Sequence, residues 1–124
     1  MAASLALALL APMGARAAEA KKEKPSYLRL TTLAATINQP GGRRGVMTIE
    51  IGIDTPDPAL RDKVELVQPV LRDAYVTVLQ PYALSITPGS PPSADYIAMT
   101  LQRATDRVMG RKGARLLIGS ILIN

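Results

Sequence analysis

Three groups of residues in the sequence have types and spacings that could do chemistry. Asp54, Asp57 and Asp62 place three carboxylates in one short stretch, the raw material of a hard-cation site. Their spacing is not that of an EF-hand, and Asp57 directly precedes Pro58. That pair is what a helix start looks like, a carboxylate N-cap followed by proline in the first turn. Capping by Thr55 or Asp57 is expected there, with no metal. Gly41, Gly42 and Gly45 surround Arg43 and Arg44, which suggests a phosphate cradle. However, no Gly-Lys-Ser/Thr follows, and the next residues alternate like a strand instead of opening a helix. A β-hairpin turn is expected. Arg103, Arg107 and Arg111 recur every four residues, on one helical face. With Lys112 and Arg115 they form the densest basic patch, tempered by Asp106. Such a face suits anionic lipid headgroups or an acidic partner. The plainer reading is a solvated helix whose cations complement its C-terminal dipole.

The missing residue types narrow the function. The 124 residues include no His and no Cys, which removes the commonest general base, the thiolate nucleophile and the commonest metal ligands. The serines therefore have no imidazole to activate them. The expectation is a protein that is not an enzyme, with no catalytic residue, cofactor or metal. Phe and Trp are absent too, so aliphatic residues, Met and four tyrosines must build the core. The net charge of +5 forms no long basic tract. No aromatics interleave with the basic residues, so nucleic acid is not an expected partner.

The elements that would position these residues can be read in order. Residues 27–37 (YLRLTTLAATI) alternate twice, with a change of register near Thr32, and predict a bulged strand. After the turn, residues 46–54 (VMTIEIGID) put Met47, Ile49, Ile51 and Ile53 on one face, the clearest strand in the chain. Residues 57–80 carry Leu60, Val64, Val67, Leu71, Ala74, Tyr75, Val78 and Leu79 at helical spacing. A helix of that length would run about 36 Å. Pro69 lies in its middle, so one kinked helix or two successive helices are predicted. On the outer face, Lys63 and the Arg61–Glu65 pair read as solvated. Residues 81–92 are rich in turn formers, with a short extended piece at 82–87. Ser93 can cap a second main helix from Ala94 to about Met109, with Ile97, Leu101, Ala104 and Val108 inward and Gly110 at its end. Residues 116–123 (LLIGSILI) predict a strand buried on both faces, with Gly119 allowing a helix to pack closely. The sum is a small single α/β (α+β) domain, two main helices on a three- to four-stranded sheet.

Residues 1–17 read as a signal peptide. An apolar run from Ser4 precedes Ala15-Arg16-Ala17, an A-x-A cleavage pattern, with a second at Ala18-Glu19-Ala20. The run is too short to span a bilayer. Residues 18–26 are a charged linker, leaving residues 27–124 as the folded domain. A periplasmic location follows, with export by the N-terminal signal.

The order of these pieces resembles the flagellar basal-body-associated protein FliL family. The matching stretches are a strand ending at Asn38, a strand from Arg44 to Asp54, the Pro-x-Leu-Arg-Asp motif of residues 69–73, and the apolar strand at 116–124. The resemblance covers nearly all of residues 27–124. It implies a stomatin/prohibitin-like fold and a non-enzymatic role beside the flagellar stator and basal body, with self-association and inner-membrane association. Arg72 and Asp73 in the motif, and Arg43 and Arg44 in the turn, become the candidate interface residues. The short apolar segment in place of the family's spanning helix implies a soluble variant.

Overall fold

The structure, a computed structural model, describes residues 26–124. The signal peptide and nearly all of the charged linker lie outside the described residues. The fold is built around one strand, β3 (Arg44–Asp54). β1 (Tyr27–Arg29) and β2 (Leu33–Asn38) share one edge of it, and β4 (Arg115–Ile123) takes the other. All three pairings are antiparallel. The inward residues of β3 are those expected: Met47, Ile49, Ile51 and Ile53 are all 2 % exposed or less. The register change near Thr32 is present. Tyr27 to Arg29 and Leu33 to Asn38 pair with β3 in registers one residue apart, so residues 30–32 form the irregularity between them.

Three helices cover one face of this four-stranded antiparallel sheet, a small α+β domain. The predicted long helix is two helices. α1 (Pro58–Leu66) ends at Val67, which leaves helical geometry, and α2 (Gln68–Ser85) starts at once. The break falls just before Pro69 because proline cannot supply an N–H or fit against the preceding turn, yet it is tolerated in a first turn. The predicted stripe is buried: Leu60, Val64, Leu71, Tyr75 and Leu79 fully, Val67, Ala74 and Val78 in part. α3 (Ala94–Met109) has the predicted bounds. Its cap is Ser93, whose hydroxyl accepts from Tyr96 N at 3.1 Å, and Gly110 closes it at φ 77°, a left-handed position that suits glycine.

Three expectations are corrected. Residues 81–92 do not begin as a turn, and the extended piece expected at 82–87 is not formed, because α2 runs through Pro81 to Ser85. Ala83 continues the buried stripe, and the Tyr82 ring stacks on Tyr96 with centroids 4.6 Å apart; this packing outweighs the proline. β4 is not buried on both faces. Only Leu116 is fully buried in it, and Leu122 and Ile123 are 57 % and 43 % exposed. Its apolar run reads like a central strand, but it is an edge strand with helices on one face only. Gly119 faces no helix. It is the extra residue of a bulge between Ile118 and Ser120, beside Glu50.

Candidate functional site

The joint between α1 and α2 gathers most of the motif residues. Val67 N donates to Lys63 O at 2.9 Å, closing α1, and Leu71 N donates to Val67 O at 2.9 Å, opening α2. Pro69 has no N–H to lose in that first turn. One turn on, Arg72 reaches across to the sheet, and its Nη1 donates to the Thr32 carbonyl at 3.1 Å. Thr32 lies in the break between β1 and β2, so a guanidinium takes over where the ladder is interrupted. Below the joint is a cavity of about 230 Å³. Leu30, Leu33, Ile51 and the Tyr75 ring form its apolar walls, and Gln68 and Arg72 stand at its rim. Asp73 is exposed, and among the described residues its carboxylate makes no ion pair. The motif thus places one side chain as a strut and the next toward solvent.

The other candidates are dispersed. Arg43 and Arg44 are exposed at the β2–β3 hairpin, where Gln39 N donates to Arg43 O at 2.8 Å. The predicted arginine stripe is broken. Arg103 and Arg107 are exposed on α3, but Arg111 lies beyond the Gly110 cap. Its Nη2 instead meets Asp57 Oδ2 at 2.9 Å. Asp57 accepts from Ala59 N at 3.0 Å as the expected cap of α1. The backbone amides of Ala59 and Leu60, with Arg111, hold its carboxyl below the ordinary value of 3.8. Among the described residues no three of His, Cys, Asp and Glu converge as metal ligands. Lys63 is not simply solvated. Its Nζ donates to Met109 O at 2.8 Å, satisfying a carbonyl at the end of α3. Arg61 is also more enclosed than expected, with its side chain 11 % exposed and 3.9 Å from Glu65.

The open face of the sheet carries a cross-strand cluster. Glu50 on β3 receives Arg29 from β1 at 2.9 Å and the Ser120 hydroxyl from β4. The Ser120 hydrogen bond, then Arg29, hold its carboxyl below 4.5. Beside it the Tyr27 ring lies over Gly52, where a Cβ would overlap the ring.

Two glutamines escaped the sequence reading. Gln80 on α2 accepts from Thr36 N at 3.1 Å and donates to Thr36 O at 2.9 Å, standing in for a neighbouring strand on the outer edge of β2. Gln102 on α3 does the same for β4, accepting from Leu116 N at 2.8 Å and donating to Ala114 O at 2.9 Å. The available signal was an uncharged amide beside an apolar helical stripe. A third omission is the partner of Tyr75. Its hydroxyl lies 2.6 Å from Thr105 Oγ1, and Thr105 gives its own proton to Leu101 O at 2.8 Å. Tyr75 is therefore the donor, and burial pushes its pKa up to about 12.

These features make surfaces and struts, with no helix among the described residues long and apolar enough to cross a membrane. No family model matches the chain, and no curated protein matches it.

Proposed function

We propose that the chain is a non-enzymatic, FliL-like assembly protein, exported to the periplasm and supporting motility beside the flagellar stator and basal body. The observation that carries this reading is the place of the Pro-x-Leu-Arg-Asp motif: Pro69 opens α2, and Arg72 fastens it to the β1–β2 break. Around it the elements follow the order that the resemblance implies. A strand ends at Asn38, another runs from Arg44 to Asp54, and an apolar strand ends at Ile123. The mechanism is docking through the surface, with Asp73 and the Arg43–Arg44 turn offered to partner proteins. Arg103 and Arg107 form a basic face for the inner-membrane surface.

Deleting the gene in its own bacterium tests the reading. Smaller swimming haloes in soft agar, restored by the wild-type copy, are the expected outcome. Haloes of normal size would sink it. An intact N-terminus on protein recovered from the cytosol would sink export. A second reading is an exported structural or binding domain unrelated to motility. The roughly 230 Å³ cavity under the joint favours it, since its apolar floor and Gln68/Arg72 rim suit a small amphiphile.

A further inference from the structure

The two edges of this sheet are treated differently. The β2 edge is engaged by Gln80 at Thr36, and Asn38 Nδ2 and the Thr32 carbonyl are also tied to α2. Among the described residues the β4 edge is engaged only at its start, by Gln102. Val46 and Asn124 exchange both backbone hydrogen bonds, at 3.1 and 3.0 Å. By the alternation of an antiparallel ladder, Ser120 and Leu122 then bond to β3, while Ile121 and Ile123 turn their N–H and C=O groups outward. Leu116, held by Gln102, has the same outward sense before the bulge, and so does Ile118. Among the described residues nothing lies on the edge at 118–123. A groove follows this edge, with Ala94, Asp95 and Ala98 of α3 as its other wall.

An open row of backbone donors and acceptors fits an extended strand and little else. Among the described residues the long strand with a free edge is β4 itself, β1 on the other side being three residues long, so the surface and its complement are the same segment. No charged residue lies between Leu116 and Ile123, and edge strands are usually protected by such charges. Antiparallel pairing of two β4 strands also keeps the single cation, Arg115, of each copy at opposite ends. Two small alanines on the helical wall leave room for the incoming side chains.

From this we infer that the chain forms a twofold dimer in which β4 of one copy pairs antiparallel with β4 of a second, joining their sheets into one. The contact is isologous and closes on itself. This rests on the assembly reading above and names a partner for it.

The test is sedimentation equilibrium with amide hydrogen exchange on the full chain, alongside Leu122→Lys and Ile121→Pro. Leu122 is exposed, so a lysine there charges the edge and leaves the core alone. Proline at 121 removes an outward N–H and no ladder bond to β3. The expected result is a dimer whose dissociation constant rises at least about tenfold in each variant. In the wild type the Ile121 and Ile123 amides should exchange more slowly as concentration rises. Should Ile121→Pro fail to fold, Leu122→Lys and the exchange data still decide. A monomer at every concentration would overturn the inference, as would a dimer with fast Ile121 and Ile123 amides. Slow amides in a monomer would place residues 1–25 of the same chain on the edge and overturn it too. A β4 dimer in a protein whose deletion leaves swimming intact would keep this inference and sink the flagellar one; a monomer whose deletion impairs swimming would do the reverse.

Discussion

Tyr75 and Thr105 form a buried hydroxyl pair between α2 and α3, and each depends on the other. Tyr75→Phe leaves Thr105 Oγ1 without its donor. Thr105→Val leaves the Tyr75 hydroxyl buried without an acceptor. Each single change should cost about 1–3 kcal/mol, and the double variant less than the two together. Thermal denaturation read by circular dichroism measures this as a Tm loss of several degrees. Thr55 gives the opposite sign. Its Oγ1 is buried with no hydrogen-bond partner among the described residues. Thr55→Val keeps the shape and removes the unsatisfied group, so Tm should hold or rise; a clear fall would show a partner for that hydroxyl. Glu50 and Asp57 carry a pH dependence. Both carboxyls are held below their ordinary values, 4.5 and 3.8. Their ionised forms therefore favour the folded state, with that stability present above these values and lost as pH falls through the lower folded ones. Tm measured against pH should decline below about pH 4.5, less steeply in Glu50→Gln and Asp57→Asn. Both sites are solvent-exposed, so added salt should shrink the difference.

At the level of elements, the Arg72 strut makes a local prediction. Arg72→Ala frees the Thr32 carbonyl and should cost about 1 kcal/mol or less. Amide exchange should quicken across residues 30–33 more than in β3. Uniform acceleration would show that Arg72 stabilises the whole fold instead. The same elements show what the sequence could reveal. β3 and α3 were legible because one period runs through each: alternation from Met47 to Ile53, and helical spacing from Ile97 to Val108. The bulge at Thr32 and the break at Pro69 were legible because each interrupts a period in a way that chain geometry requires. β4 misled, because an apolar run looks the same whether its second face is covered or open. The extension of α2 past Pro81 was hidden behind a proline whose local cost is outweighed by Ala83 and the Tyr82–Tyr96 stack. The candidate site was legible only in part. Arg72 and Asp57 were singled out, but the contacts of Arg72 with Thr32, Arg111 with Asp57 and Lys63 with Met109 span 40, 54 and 46 positions. No local pattern encodes such pairings.

Across the described residues, the helices lie on one face of the sheet and leave the other face uncovered, with Val46 45 % exposed and Leu122 57 % exposed upon it. Stability and assembly therefore draw on different residues. Core substitutions should lower Tm in monomer and dimer alike, while Leu122→Lys should shift association and leave the Tm of the monomer unchanged within about a degree. The Gln80 side chain gives this division a further consequence. By engaging Thr36 it occupies the β2 edge and leaves β4 as the long free edge among the described residues, which sets the valence of the molecule at one. A unit of valence one stops growing at a pair; a unit of valence two propagates into a fibre. Gln80→Leu should raise the valence, producing scattering particles that lengthen with time, and adding Leu122→Lys should cap them again. A single amide, about as wide as one peptide group, would then separate a finite complex from an endless one.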